Sequence, residues 1–185
     1  MDLLEDLFRD AEASRAPTGV ATRLIAIDGL GGAGKTTLAA LLADRLRALV
    51  IHTDDFASWD NPVDWWPVML ERAIRPLAAG EEARYEPTAW GGKQPPPVAV
   101  APGGTVVVEG VTASRRSFRP FLAYSVWIET PRAVRLQRGL ARDGEAAREQ
   151  WELWMAEEDR YVELERPSDH ADLLLPGDRD LWGET

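Results

Sequence analysis

The sequence predicts an α/β fold in which a parallel β-sheet is covered by helices on both faces. Short apolar runs alternate with segments of helical periodicity, and the first run passes through a glycine-rich turn into a helix. Runs that are apolar throughout are typical of strands buried on both faces. Strands that alternate with helices form right-handed crossovers, which align the strands in parallel. The length of 185 residues fits a single domain.

Five apolar runs are the predicted strands, and they lie at residues 24–27, 50–52, 105–108, 125–129 and 173–175. The predicted helices cover residues 2–13, the segment after the glycine-rich turn, residues 68–79, a segment from Pro131 and residues 145–165. In the last helix the apolar stripe consists of Trp151, Trp154, Met155 and Val162.

The chain is predicted to be one domain over residues 1–185 with four attached features. They are an N-terminal helical extension (1–20), a substrate-side loop rich in Pro and Gly with a small hairpin (81–104), a lid region (131–148) and an acidic C-terminal helix, strand and tail (149–185).

The charge distribution limits the classes of partner that the protein can bind. The formal net charge is −10, and a strongly acidic protein is a poor general binder of nucleic acid. Residues 1–142 contain 17 acidic and 17 basic side chains, whereas residues 143–185 contain 14 acidic and four basic ones. The excess therefore lies in the C-terminal segment, where it favours solubility, and the remainder is neutral enough to handle an anionic nucleotide.

Cysteine content and hydropathy exclude further classes. The chain has no Cys, which removes disulfides, thiolate metal sites and Cys nucleophiles. No apolar run approaches the ~20 residues that span a bilayer, so no membrane partner is expected. The N-terminus is acidic and amphipathic, unlike a signal peptide, so we expect a cytoplasmic protein.

Residues 29–36 form the phosphate-binding pattern G-x-x-x-x-G-K-[ST] between a predicted strand and a predicted helix. Glycines let the backbone turn successive N–H groups toward an anion, and the helix N-terminus adds more donors. Lys35 is predicted to reach the β- and γ-phosphates of ATP, and the Thr36 hydroxyl to bind Mg²⁺. The nucleotide-binding residues are Gly29, Gly31, Gly32, Ala33, Gly34, Lys35, Thr36 and Thr37. Of the 21 basic residues only Lys35 and Lys93 are Lys. A Lys in this pattern therefore indicates a position that needs a compact ammonium group on a flexible side chain.

Carboxylates follow two other predicted strands. Glu109 ends the third strand, where it is expected to hold the Mg²⁺ shell together with Thr36; the alternative is a simple strand-end charge. Asp54 and Asp55 end the second strand, at the rim that parallel strands share with the phosphate loop. A carboxylate there can take the proton of an acceptor hydroxyl during phosphoryl transfer, or it can cap the next turn.

Four arginines follow Pro131 at helical spacing. Arg135, Arg138 and Arg142 fall within about 60° of one another on a helix. Guanidinium groups on one face repel unless they meet anions, so two of them are expected to clamp phosphates; a solvated face neutralised by Glu and Asp is the alternative.

The segments IAIDGLGGAGKTTLA, TDDF, WDNPVDW, VVVEGV and RLQRGLARD, in this order over residues 24–143, resemble the uridine kinase family and its relatives phosphoribulokinase and pantothenate kinase. The resemblance implies a P-loop kinase of nucleoside-kinase-like fold with a short lid, which transfers the γ-phosphoryl group of ATP to a hydroxyl. It also implies roles for single residues. Asp54 matches the base, Asp60 a contact to ribose hydroxyls, Tyr85 a contact to the acceptor, and Arg138 and Arg142 the lid arginines.

One part of the family pattern is missing. The His that follows the Tyr-Asp pair in the family is absent, and Trp90 and Lys93 lie in this region, so recognition of a pyrimidine base must differ. Trp59, Trp65, Trp66 and Trp90 crowd the acceptor segment. Tryptophans suit stacking on a flat ring, and Trp90 is a candidate acceptor contact, but they also fill cores.

The sequence therefore predicts an ATP- and Mg²⁺-dependent small-molecule kinase with a nucleoside, another metabolite or an antibiotic as acceptor. The catalytic residues would be Lys35, Asp54, Arg138 and Arg142. The alternatives are a nucleotide-binding regulatory or accessory ATPase without an acceptor, and a structural protein whose phosphate loop is unused. A guanine-reading N-K-x-D motif is absent, and homo-oligomerisation is left open.

Overall fold

The computed structural model describes residues 3–90 and 92–178. The strands are β1 (Arg23–Gly29), β2 (Leu49–His52), β3 (Ala83–Tyr85), β4 (Val98–Val100), β5 (Thr105–Glu109), β6 (Leu122–Glu129) and β7 (Leu173–Pro176). The α-helices are α1 (Leu3–Ala13), α2 (Lys35–Leu46), α3 (Trp66–Met69), α4 (Arg75–Ala79), α5 (Arg132–Asp143) and α6 (Arg148–Glu165). Between α3 and α4, residues Leu70–Ile74 continue the same rod as a π-helical segment.

Five strands form one sheet in the order β2-β5-β1-β6-β7, and every pair is parallel. The predicted α/β class with a parallel sheet flanked by helices is therefore confirmed. Strand β1 lies at the centre, so the carboxyl ends of β1, β2 and β5 meet at one rim of the sheet. This rim places the phosphate loop beside Asp54 and Glu109.

Alternate residues of β1 belong to two different cores. Leu24 and Ala26 pack in the cluster that contains the α3–α4 rod, whereas Ile25 and Ile27 pack in the cluster that contains α1 and α2. Because both faces are covered, residues 24–27 of this strand are all apolar and show no alternation with polar residues.

The chain between α4 and β5 contains two short strands. Strands β3 and β4 pair antiparallel, with Ala83 opposite Val100 and Tyr85 opposite Val98. The small hairpin that the sequence predicts within residues 81–104 is thus present, and it packs on the α3–α4 rod.

Helix α6 buries a different stripe from the predicted one. Its buried residues are Trp151, Met155, Glu158 and Tyr161, while Trp154 and Val162 are half-buried. Of the predicted C-terminal tail, residues 179–185 lie outside the described residues, as do residues 1–2 of the N-terminal extension. Within the described residues, the helices are too short or too polar to cross a membrane.

Candidate active site

The phosphate loop joins the end of β1 to the start of α2. Gly32 and Gly34 adopt left-handed φ angles of 79° and 95°, which only glycine takes without strain. Two loop amides are engaged within the protein, since Gly31 N–H donates to Glu158 Oε1 at 2.7 Å and Ala33 N–H to the Leu30 carbonyl at 3.1 Å. Among the described residues, no protein acceptor bonds the amides of Gly32, Gly34, Lys35, Thr36 and Thr37. These five amides remain available to an anion.

Two loop glycines are also required by packing. A Cβ on Gly32 would lie 2.6 Å from the Arg135 carbonyl oxygen, and a Cβ on Gly31 would lie 2.9 Å from Glu158 Oε1. Helices α5 and α6 therefore press directly on the phosphate loop. The predicted lid region is in contact with the loop at its base.

Lys35 and Thr36 begin α2 at the sheet rim. Lys35 Nζ donates to the Leu30 carbonyl at 3.0 Å, so its ammonium group stays on the loop itself. Thr36 Oγ1 lies 3.4 Å from Glu109 Oε1. The two oxygens adjoin free loop amides, which fits Mg²⁺ bound by one hydroxyl, one carboxylate and phosphate oxygens. Among residues 3–90 and 92–178, no group of three or more His, Cys, Asp and Glu side chains could hold a metal by itself.

A histidine that was not predicted as a site residue contacts the same carboxylate. His52 Nδ1 lies 2.5 Å from Glu109 Oε1, and this hydrogen bond raises the pKa of His52, against the effect of burial. His52 ends β2 and pairs with Glu109 in register on β5. Register between two adjacent strands, which the sequence does not specify, creates this contact.

Asp54 and Asp55 lie in a 3₁₀ turn directly after β2 and face different surroundings. Loss of hydration in the crowded cleft raises the pKa of Asp54, although the residue as a whole is exposed. The positive charge of Lys35 lowers this pKa, and the negative charge of Glu109 raises it. Arg142 is a further cation that lowers the pKa of Asp54. Asp54 is thus within electrostatic range of the phosphate loop, the candidate metal residue and the predicted lid region.

Asp55 points to the β3–β4 hairpin. Tyr85 Oη donates to Asp55 Oδ2 at 3.0 Å, and burial raises the pKa of Asp55 while this bond lowers it. Tyr85, which was predicted to contact the acceptor beside Asp54, therefore bonds the neighbouring carboxylate. Both residues line a cavity of about 550 Å³, whose other lining residues include Phe56, Thr88, Arg72 and Arg84.

The other two predicted acceptor contacts lie on a separate part of the cleft mouth. Trp90 Nε1 donates to the Asp54 carbonyl at 3.0 Å, and its ring lies 5.1 Å from that of Trp59 and 5.7 Å from that of Trp154. Asp60 is exposed in the turn that closes between Ser58 and Asn61. Neither Asp60 nor Trp90 lines the Tyr85 cavity.

The three arginines on one face of α5 have three different environments. Arg135 is 3% exposed and pairs with Glu158. Arg138 Nη1 donates to the carbonyls of Gly32 (3.3 Å) and Gly177 (2.8 Å). Arg142 pairs with Asp143 and covers the Trp151 ring. The structure leaves Arg138 and Arg142 at the cleft and removes Arg135 from it.

Glu158 is a site residue that was not predicted from the sequence. Its carboxylate is fully buried, and it accepts bonds from Gly31 N–H, Trp154 Nε1 and Arg135 Nη1. Burial raises the pKa of Glu158, whereas Lys35, Gly31 N–H and Arg135 lower it. The available signal was a charge at the centre of the α6 apolar stripe, three residues after Met155 and three before Tyr161.

The fold is shared with solved kinase structures. A possible uridine kinase from Bacillus stearothermophilus is 23% identical, with 94% of this chain and 97% of that chain covered and a TM-score of 0.70. A protein provisionally assigned as a fructose transport system kinase from Silicibacter sp. TM1040 is 20% identical, with 94% and 98% covered and a TM-score of 0.67. A sugar kinase from Janibacter sp. HTCC2649 is 17% identical, with 86% and 88% covered and a TM-score of 0.52. No protein-family model matches the chain, and neither does any curated protein. The chain therefore has a uridine kinase-like P-loop kinase fold.

Proposed function

We propose that this protein is an ATP- and Mg²⁺-dependent kinase that transfers the γ-phosphoryl group of ATP to a hydroxyl of a small molecule, most simply a nucleoside. The observation that carries the proposal is the position of Asp54. Its carboxylate is coupled to Lys35, Glu109 and Arg142, which belong to the phosphate loop, the candidate metal site and the lid. A carboxylate at this position can take the proton of a hydroxyl that attacks the γ-phosphate.

Each group has one task in the transfer. The free loop amides and Lys35 bind the phosphates, and Lys35 leaves the Leu30 carbonyl to do so. Thr36 and Glu109 would hold Mg²⁺, which would neutralise part of the negative charge of the phosphates. Arg138 and Arg142 stabilise the negative charge that moves toward the leaving ADP during phosphoryl transfer.

Asp54 is the general base of the proposed reaction. The acceptor hydroxyl gives its proton to the Asp54 carboxylate as its oxygen bonds to phosphorus and the bond to the ADP oxygen breaks. The raised pKa of Asp54 makes it a stronger base than an ordinary aspartate. The adjacent bond from Trp90 Nε1 to the Asp54 carbonyl fixes the turn that carries it.

The proposed acceptor site is the cavity that begins at Asp55 and Tyr85. Its volume of about 550 Å³ falls within the range of small-molecule pockets, and Asp55, which lines it, directly follows the base in the sequence. The rings of Phe56 and Tyr85 are tilted by 38° with 4.5 Å between their centroids, and they give the cavity an aromatic wall. An acceptor with a flat ring suits this wall. Asp60 and Trp90 are the proposed contacts to the part of the acceptor that extends to the cleft mouth.

A survey of acceptors tests the proposal. ADP release is measured with ATP, Mg²⁺ and a panel of nucleosides, sugars and hydroxylated antibiotics. At least one compound is expected to stimulate release, and Asp54→Asn is expected to lower that rate about 10²–10⁴-fold while ATP still binds. Asp44→Asn, which removes an exposed carboxylate of α2, is the matched control and is expected to leave the rate unchanged. ADP release that no acceptor stimulates, at the same rate in Asp54→Asn, would instead favour an accessory ATPase.

A further inference from the structure

Both backbone groups of one phosphate-loop residue are held by a buried ion pair. Glu158 accepts the Gly31 N–H at 2.7 Å, and Arg135 Nη1 donates to the Gly31 carbonyl at 3.5 Å. The two side chains bond each other at 3.1 Å, and both are almost completely buried. We propose that Glu158, acting with Arg135, is a positioning residue that fixes Gly31 and thereby sets the shape of the loop that receives the phosphates of ATP. The inference rests on the proposed function.

The same carboxylate also orients the peptide group that carries the lysine contact. The peptide between Leu30 and Gly31 presents its carbonyl to Lys35 Nζ at 3.0 Å and its N–H to Glu158. When Lys35 leaves the Leu30 carbonyl for the phosphates, Glu158 still holds the other end of this peptide group. Glycine has the widest choice of backbone conformations, so Gly31 in particular needs contacts from outside the loop to keep one of them.

The charge of Arg135 is not available to a phosphate. Its guanidinium donates to Glu158, to the Thr130 carbonyl at 3.2 Å and to the Gly31 carbonyl, and the side chain is 4% exposed. The pair with Glu158 is neutral overall. Arg135 therefore acts on ATP through the loop, in contrast to Arg138 and Arg142 at the cleft.

Stability alone is a weak reason for this ion pair. Two buried charges lose hydration, and an apolar pair of similar volume is often as stable. An apolar pair, however, could not accept the Gly31 N–H or donate to the Gly31 carbonyl. The contacts to Gly31 distinguish this pair from the exposed pair of Arg132 and Asp159, which joins the same two helices at 2.7 Å and, among the described residues, makes no hydrogen bond to Gly31.

The experiment separates loop positioning from helix packing. MgATP affinity is measured by calorimetry, and the Tm is recorded, for the wild-type protein and for the double variant Arg135→Met/Glu158→Met. Removing the pair without leaving a buried charge is expected to weaken MgATP binding about tenfold or more, because a small displacement of binding groups is costly. The Tm is expected to fall by a few degrees with the fold retained, because the Gly31 N–H and Trp154 Nε1 lose their acceptor. The control Arg132→Met/Asp159→Met is expected to bind MgATP within about twofold of the wild type.

Three results bear on the inference. A folded Arg135→Met/Glu158→Met protein that binds MgATP as tightly as the wild type would overturn it. If this variant does not fold, Glu158→Gln is measured instead; its amide places N–H donors against Arg135, so about tenfold weaker binding is expected, and unchanged binding overturns the inference. A wild-type protein that binds no MgATP would contradict the proposed function itself, whereas normal binding with insensitive variants contradicts only the role of Glu158.

Discussion

Tyr161 on α6 donates a 2.6 Å hydrogen bond to Asp28 at the end of β1, and both residues are buried. The same carboxylate accepts the N–H groups of Gly29 (2.7 Å) and Thr112 (3.0 Å), and both the N–H and the O–H of Ser114. Asp28 therefore joins the start of the phosphate loop, the segment after β5 and α6. With five donors around it, this carboxylate is a structural anchor behind the candidate active site.

We predict that Asp28→Asn lowers the free energy of unfolding by about 3 kcal/mol. The Asn side chain keeps one acceptor oxygen, but its NH₂ group is forced against buried N–H and O–H groups that donate to Asp28 in the wild type. Urea unfolding followed by circular dichroism measures the change. Asp172→Asn is the matched control. Within residues 3–90 and 92–178, hydrogen bonds reach only Oδ2 of the Asp172 carboxylate, from Ser125 N–H and Oγ–H, and an amide oxygen can replace it. Equal losses in the two variants would contradict the anchoring role of Asp28.

Much of the fold could be predicted because its signals are local. The runs that became β1, β5 and β6 are apolar on both faces, and a strand between two helical layers requires this pattern. The phosphate loop was predicted because its glycines and Lys35 form a contiguous pattern whose chemistry fixes the spacing.

The roles of the α5 arginines could not be predicted from periodicity. Their spacing puts Arg135, Arg138 and Arg142 on one face, but which of them is buried depends on Glu158, 23 residues after Arg135. Glu158 itself was missed because the α6 stripe was identified from apolar residues alone. A charged residue in such a stripe signals a buried partner, and here the partner is Arg135.

Two adjacent carboxylates were also indistinguishable in the sequence. Resemblance to the uridine kinase family assigned Tyr85 to the acceptor site and Asp54 to the base, with no information on how Tyr85 and Asp55 pair. The pairing arises from the β3–β4 hairpin, which brings Tyr85 to Asp55 across 30 residues of sequence. The assignments of Asp54, Asp60, Trp90 and Tyr85 to catalysis and acceptor binding remain predictions.

We predict that Lys35→Ala weakens MgATP binding by at least about tenfold, because a charge-assisted contact to phosphate is lost. The variant is expected to remain folded, since Lys35 contributes one bond, to the Leu30 carbonyl. Calorimetric titration with MgATP measures the change. Lys93→Ala removes the other lysine of the chain, which is exposed in the segment before β4, and is expected to bind as the wild type does. Similar affinities in the two variants would contradict the role of Lys35.

We predict that Gly139→Ala destabilises the protein although alanine is the better helix former. An added Cβ would lie 2.4 Å from atoms of the Trp151 ring, which Asp143 holds through a 2.9 Å bond from Trp151 Nε1. Overpacking costs about 1–3 kcal/mol, more than the ~1 kcal/mol gained in helix propensity. Thermal unfolding is expected to show a lower Tm. Gly92→Ala, where a Cβ meets only the Ala89 carbonyl at 3.4 Å, is the control and is expected to leave the Tm unchanged.

We predict that the phenols of all three tyrosines lose their protons at higher pH than free tyrosine. Burial raises the pKa of Tyr85 and Tyr161 well above that of free tyrosine, and that of Tyr124 to about 12. The folded protein therefore keeps protons that the unfolded chain loses above about pH 10. Because the native state then binds more protons than the unfolded state, stability must fall as the pH rises above this value.

Alkaline titration of the phenolate absorbance measures this effect directly. Little absorbance change is expected near pH 10 while circular dichroism shows the native fold, and the phenolates are expected to appear as the protein unfolds. Tyr124→Phe removes one of the three groups, so the loss of stability between about pH 10 and 12 should become less steep. A titration with its midpoint near pH 10 in folded protein would show that the phenols are hydrated, and would contradict the buried bonds of Tyr85 to Asp55 and of Tyr161 to Asp28.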